Sequence, residues 1–347
     1  ARRPYRDGIE VTPIGVDSSS RHLETPIADI VIGGAAALSS SGLSLLEWPP
    51  LGAQPRAGSV HPVFYLLPNT ASLFELSDPL VSTFNPAGRP FDINYSVSEA
   101  CDEMRVSLEN WVLQVIAESI EGVKSPVVMI DGPLYVVAKA LTREAPQWLR
   151  DVWVKLLLDR VRAIKELEAR NIPVLGVVKR VEKSTILSKT RGLEHLGGGV
   201  VEGDKGFILR LFAALHEKIP GRIYATPKIL VRVSNVPEVG VLDKVIQYIV
   251  IPPGKYQQSV ELARVYRLEY TLKTVELLEE YGLKPEVVIG FDSVARGALE
   301  PLSIRLSDWR SSYTTQAFKR MLSMSIISAG GSLGYWGLRE VEMSWRR

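Results

Sequence analysis

Apolar positions along the chain alternate, cluster and recur in a way that predicts a mixed α/β architecture. Residues 10–17 (EVTPIGVD) read as a strand that closes in a polar turn at Ser18-Ser19-Ser20. Residues 28–38 (ADIVIGGAAAL) read as its hairpin partner. The stretch 39–94 is irregular and rich in Pro, Gly and Ser, with short apolar pieces such as 63–67, and reads as an insertion decorating a core. Ser96 with Glu99 fits a capping box, and Met104, Leu108, Trp111 and Val115 recur at helical spacing, so a helix starts at Ser96 and ends near Gly122. Residues 127–130 are a short unbroken apolar run, the mark of a buried strand, closed by Asp131-Gly132-Pro133. A second long helix fits 147–170, and Asn171-Ile172-Pro173 turns into another buried strand at 174–178. Beyond a basic, irregular stretch to Gly199, helices fit 206–217, 272–281, 287–299 and about 312–327, and strands fit 246–251 and 263–270. The order hairpin, helix, strand, helix, strand predicts an α/β core with a mixed sheet flanked by helices. That core comprises 10–38 and 96–200, is interrupted by the insertion 39–95, and continues as an α/β extension over 201–347, all within one domain spanning 1–347.

Composition narrows the chemistry. The 347 residues include one cysteine, Cys101, and four histidines, no two at a spacing such as HxxxH. Disulfide frameworks, thiolate zinc sites and histidine-based metal chemistry are therefore set aside, and carboxylates remain as the ligands for any metal. Lys and Arg number 41 against 39 Asp and Glu, a net charge of +2 that, taken alone, argues against strong nucleic-acid binding. No apolar run approaches the roughly 20 residues of a membrane span. The basic N-terminus has no apolar run behind it, so the expectation is a soluble, cytoplasmic protein without a membrane.

Two acids end apolar strands: Asp17 after Ile14-Gly15-Val16, and Asp131 after Val128-Met129-Ile130. A carboxylate there projects into the crevice where open α/β sheets bind ligands, although Asp-Ser and Asp-Gly are also ordinary turn dipeptides. The helix between them offers Glu109 on the border of its apolar stripe. Asp102 competes from two turns earlier, and an Arg105–Glu109 surface pair is the everyday alternative. Three carboxylates without a histidine or thiolate suit Mn²⁺ or Mg²⁺, and a pair of such ions about 4 Å apart hydrolyses phosphodiesters. Asp, Glu and Asp in strand–strand–helix–strand order is how ribonuclease H-like folds build that site, an analogy at the level of fold. The loop 179–191 carries Lys179, Arg180, Lys183, Lys189 and Arg191 against one acid, Glu182; it is either a grip for a nucleic-acid backbone or a solvated loop. Lys179, directly at the strand end, is the best placed of these to touch a reacting phosphate. Arg264, Tyr266 and Arg267, and again Trp309, Arg310 and Tyr313, combine charge with rings that either stack on bases or pack in a core. No GxSxG is present, and Gly197-Gly198-Gly199 has no GK[ST] after it.

These residues resemble NurA, a family of archaeal DNA-end-processing nucleases. The likeness rests on Asp17-Ser18-Ser19 where members carry an Asp-Gly-Ser-like turn, on Arg105 with Glu109, on Asp131-Gly132 and on Val178-Lys179. It continues through Asp204 before Leu209 and Leu211, the strand 265–269, and the segment 285–295. The resemblance implies a ribonuclease H-like fold and a Mn²⁺-dependent deoxyribonuclease, a 5′–3′ exonuclease and single-strand endonuclease acting in double-strand break resection and repair. It also implies a homodimer and a partner, the hexameric ATPase HerA. Asp17, Glu109 and Asp131 are then the metal ligands and catalytic acids, Lys179 a phosphate contact, and Arg267 part of the DNA-binding surface with the basic loop. Ser18 departs from the Gly of the first turn, and Asp292 stands where many relatives have a histidine. Those departures keep open an alternative, a non-catalytic DNA-binding or adaptor subunit of a HerA-type motor on the same scaffold.

Overall fold

The computed structural model describes residues 11–341 apart from 43, 51–59, 70–77, 121, 137–144, 183, 188–202, 217–222, 237–239, 253–262, 294–299, 336 and 340. Strands β1 (Thr12–Glu24) and β2 (Ala28–Ser39) form the expected antiparallel hairpin, from Ile14 opposite Ser39 to Glu24 opposite Asp29. The expected turn at Ser18-Ser19-Ser20 is instead mid-strand, and the chain reverses at Thr25, whose N–H and hydroxyl both donate to the Ala28 carbonyl. Serines are tolerated there because they pair with the small Ala35, Gly34 and Gly33 of β2, leaving room for helices on both faces.

Within 39–95, strands β3 (Ser44–Trp48) and β4 (Phe64–Pro68) both pair with β2, and β5 (Val81–Ser82) pairs with β4. This stretch thus extends the core sheet rather than only decorating it. Helix α1 (Val97–Ser119) starts as the capping box predicts, with Ser96 Oγ accepting from the Glu99 N–H at 3.3 Å. Strand β6 (Pro126–Asp131) runs parallel to β1, helix α2 (Gln147–Ala169) follows, and β7 (Val174–Val178) runs parallel to β6. The C-terminal part contributes α3 (Asp204–His216), β8 (Tyr224–Ala225), β9 (Ile229–Val236), β10 (Gly240–Ile251), β11 (Arg264–Tyr270), α4 (Leu272–Glu280), α5 (Pro285–Ser293) and α6 (Leu302–Ser328). The main sheet order is β5-β4-β2-β1-β6-β7-β11-β10-β8, with β3 against β2 and β9 against β10, and β11 joins the core as the antiparallel neighbour of β7.

Helices cover both faces. One core gathers α1 and α2 over β1, β2 and β6, through Ile14, Val16, Val128, Ile130, Leu108, Val112, Leu156 and Ile164. The other gathers Val127, Met129, Leu175, Val177, Leu268, Leu278, Ile289 and Ile304 beneath α4, α5 and α6. Helix α6 begins ten residues before the expected 312 because its buried face is made of small hydroxyls. Ser303, Ser307, Ser311, Thr314 and Thr315 are all buried, and so invisible to a hydrophobic-periodicity reading. Ser307 Oγ donates to the Gly15 carbonyl at 2.7 Å and accepts from the Leu38 N–H at 3.1 Å, so it bridges the paired residues Gly15 and Leu38 of β1 and β2. Gly15 is needed for this approach: a Cβ there would stand 2.3 Å from the Ser303 carbonyl carbon. Among the described residues, no helix is long and apolar enough to cross a membrane.

Candidate active site at the ends of the parallel strands

Strand register brings the two aspartates together. Val16 pairs with Ile130 in the parallel β1–β6 ladder, so the next residues, Asp17 and Asp131, stand side by side. Side chains alternate between faces. Val127 and Met129 lie under α4–α6, which puts Asp131 on that side; Leu175 and Val177 do the same for Lys179 at the end of β7. Asp17 shares the side of Gly15, against α6, and accepts a long hydrogen bond from Ser311 Oγ at 3.4 Å. Lys179 Nζ lies 2.7 Å from Asp131 Oδ2. Three neighbouring parallel strands therefore present acid, acid and base at one level, where β6 and β7 end and the longer β1 runs on past Asp17; the carboxyl ends of such strands are where open sheets bind ligands.

Glu109 comes from the α1 side. It is buried, Oε1 accepting from Ser18 Oγ at 2.8 Å and Oε2 from Arg160 Nη2 at 2.6 Å. The surface alternatives do not form around it: Arg105 pairs with Asp102, at 3.6 Å and partly exposed. Electrostatics ties the set together. Burial, then Glu109, Asp131 and Asp308 in turn, pushes the Asp17 carboxyl up to about 8. Burial also raises Asp131, with Lys179 pulling the other way.

The remaining expected residues fall as follows. Arg180 is exposed next to Lys179. Lys183, Lys189 and Arg191 lie outside the described residues. Arg267 is engaged by Ser184 Oγ at 3.0 Å and by Glu269 at 2.9 Å. Tyr266 is core, whereas Trp309 and Tyr313 are exposed and stack at 5.9 Å between centroids. Arg310 donates to Glu47 at 2.7 Å. Asp292 accepts from the Ser303 N–H at 3.0 Å and Oγ at 2.7 Å, so it holds the first turn of α6.

Two residues escaped the sequence reading. Asp308, on α6, acts electrostatically on Asp17, Asp131 and Lys179, and is the acid this helix brings to the site. The small-hydroxyl spacing of Ser303, Ser307, Ser311 and Thr314 was the available signal for that helix. Arg160 is fully buried on α2, between Leu156, Leu157 and Ile164 on the apolar stripe. A charge on a core-facing stripe demands a buried partner, and that was a legible signal too.

Among the described residues, no three His, Cys, Asp or Glu side chains already cage a common point. In donor type and charge, Asp17, Glu109, Asp131 and Asp308 nonetheless fit a hard divalent ion. All donors are carboxylate oxygens, and their mutual repulsion adds to burial in raising Asp17.

A model of the NurA domain matches residues 11–282. Among solved structures, the chain is similar to the NurA nuclease from Sulfolobus solfataricus at 13% identity and a TM-score of 0.49, covering 94% of this chain and 87% of that one. It is also similar to NurA with manganese at 10% identity and a TM-score of 0.45, covering 92% and 89%. Human ENDOV aligns at 13% identity and a TM-score of 0.33, covering 91% and 88%. No curated protein matches the sequence significantly.

Proposed function

The chain belongs to the NurA family, and from that premise we propose that it is a metal-dependent nuclease hydrolysing phosphodiester bonds in DNA. The observation that carries the reading is the parallel register that sets Asp17 beside Asp131, with Lys179 at the next strand end. Asp17, Glu109 and Asp131, with Asp308 nearby, would hold Mn²⁺ or Mg²⁺. When bound, such an ion activates water and offsets charge on the phosphate. Lys179 exchanges its bond to Asp131 for a phosphate oxygen, placing a cation on the reacting group. Arg180 and the basic loop hold the strand by its backbone. The family resemblance further supports 5′–3′ exonuclease and single-strand endonuclease action in end resection, as a homodimer fed by a HerA-type hexameric ATPase.

The test is Mn²⁺-dependent cleavage of an end-labelled single-stranded oligonucleotide by wild type and Asp131→Asn. A loss of at least 100-fold is expected, and equal activity would overturn the site. One observation favours the adaptor reading: Asp131 and Glu109 are each already paired with a cation of the protein itself, Lys179 and Arg160. That reading predicts DNA or ATPase binding with no metal-dependent product.

A further inference from the structure

Arg160 has no solvent exposure and stands in the middle of α2. Its Nη2 meets Glu109 Oε2 at 2.6 Å and its Nε donates to Asn110 Oδ1, while Nη1 has no hydrogen-bond partner. Burying a guanidinium costs several kcal/mol, and a buried ion pair is often no more stable than two well-packed apolar residues. A purely structural role therefore accounts poorly for a charge kept here with one nitrogen unsatisfied. The other Glu109 oxygen is held by Ser18, the residue after Asp17. Both restraints thus converge on one carboxylate, from two elements that both pack on α1.

We propose that Arg160 and Ser18 are positioning residues that clamp the Glu109 carboxylate in one orientation beside Asp17, leaving each of its oxygens a free lone-pair direction for a divalent cation. The inference rests on the nuclease reading above. An ionised carboxylate has about four acceptor directions, so one bond to each oxygen leaves ligation open. The rigid guanidinium fork sets orientation as well as charge, which a lysine ammonium does not reproduce. The hydroxyl at Ser18 gives the departure from the family's glycine a task, since glycine could not hold Glu109.

The test uses the full chain, with calorimetric titration by MnCl₂ alongside cleavage of a single-stranded oligonucleotide at varied Mn²⁺. Outer partners of metal ligands typically contribute about 10- to 100-fold in metal affinity. Arg160→Lys is expected to weaken Mn²⁺ binding by about that factor, and Ser18→Ala by less. Turnover at saturating Mn²⁺ should recover to within several-fold of wild type, a split that a general loss of fold would not produce. Should Arg160→Lys fail to fold, Ser18→Ala, which leaves the buried Arg160–Glu109 pair intact, carries the test. Weaker Mn²⁺ binding with near wild-type turnover at saturation is then expected, and unchanged affinity would overturn the clamp. Folded Arg160→Lys with wild-type Mn²⁺ affinity, in a wild type that binds Mn²⁺ and cleaves, would overturn the clamp alone. Wild type that neither binds Mn²⁺ nor cleaves would overturn the nuclease reading and the clamp with it.

Discussion

Asp17 carries the sharpest conflict between stability and chemistry. Its carboxyl is raised to about 8 by burial and by Glu109, Asp131 and Asp308, above the unfolded value near 3.9. A raised folded-state value stabilises the fold below the unfolded value, and that contribution is lost as pH climbs towards the folded one. Asp17→Asn is therefore expected to abolish cleavage while raising the melting temperature of the metal-free protein. The gain should open above pH 4 and level off near 8. A scanning-calorimetry series from pH 4 to 9 checks this, and a pH-independent difference would contradict it. Lys179 belongs to the same scale. It is the cation at the strand end, and Lys179→Ala should cost about 100-fold in kcat, the size typical of one lost charge-stabilising donor. Measured turnover on a single-stranded substrate tests that. The residue types here were legible from the chain: acids closing apolar runs and a lysine at a strand end. Arg160 was legible as an anomaly, whereas its partner Glu109 is 51 positions away and visible only in the fold.

Among the elements, α6 is the one whose sequence reads least like its role. Its buried face of serines and threonines bonds to β1 and β2 and carries Asp308 to the strand ends. That contact depends on Gly15, where a methyl group would collide with the Ser303 backbone. Gly15→Ala should cost about 1–3 kcal/mol and, by pushing α6 away, lower activity more than the stability loss explains. Urea denaturation alongside cleavage at a temperature where the variant stays folded measures both. Helices α1 and α2 appeared nearly residue for residue from their apolar periodicity, because their stripes are made of Leu, Val, Ile and Trp. The β3–β5 strands and the start of α6 were missed for the opposite reason: short segments and small hydroxyl faces carry little periodic signal.

At the scale of the molecule, Glu269 ties the C-terminal part to the active edge. It is fully buried on β11, 2.6 Å from Lys244 and 2.9 Å from Arg267, and accepts at 3.1 Å from the Leu134 N–H, just after Asp131-Gly132-Pro133. Glu269→Ala leaves two cations without their anion and should cost about 3–5 kcal/mol. Chemical denaturation is expected to show that loss together with reduced cleavage, since the turn behind Asp131 loses its acceptor. The near-neutral net charge, which taken alone counts against a nucleic-acid partner, excludes little. It averages over a site where acids crowd and a strand end where Lys179 and Arg180 stand together. By itself the sequence determined the available chemistry, oxygen ligands rather than thiolate or imidazole, and the order of strands and helices, because residue type and local periodicity are properties of short segments. The tertiary structure alone decided that Asp17 stands level with Asp131, that α6 brings Asp308, and that Arg160 grips Glu109. Those contacts depend on strand register and helix packing between segments 51 to 292 positions apart, which no local pattern records.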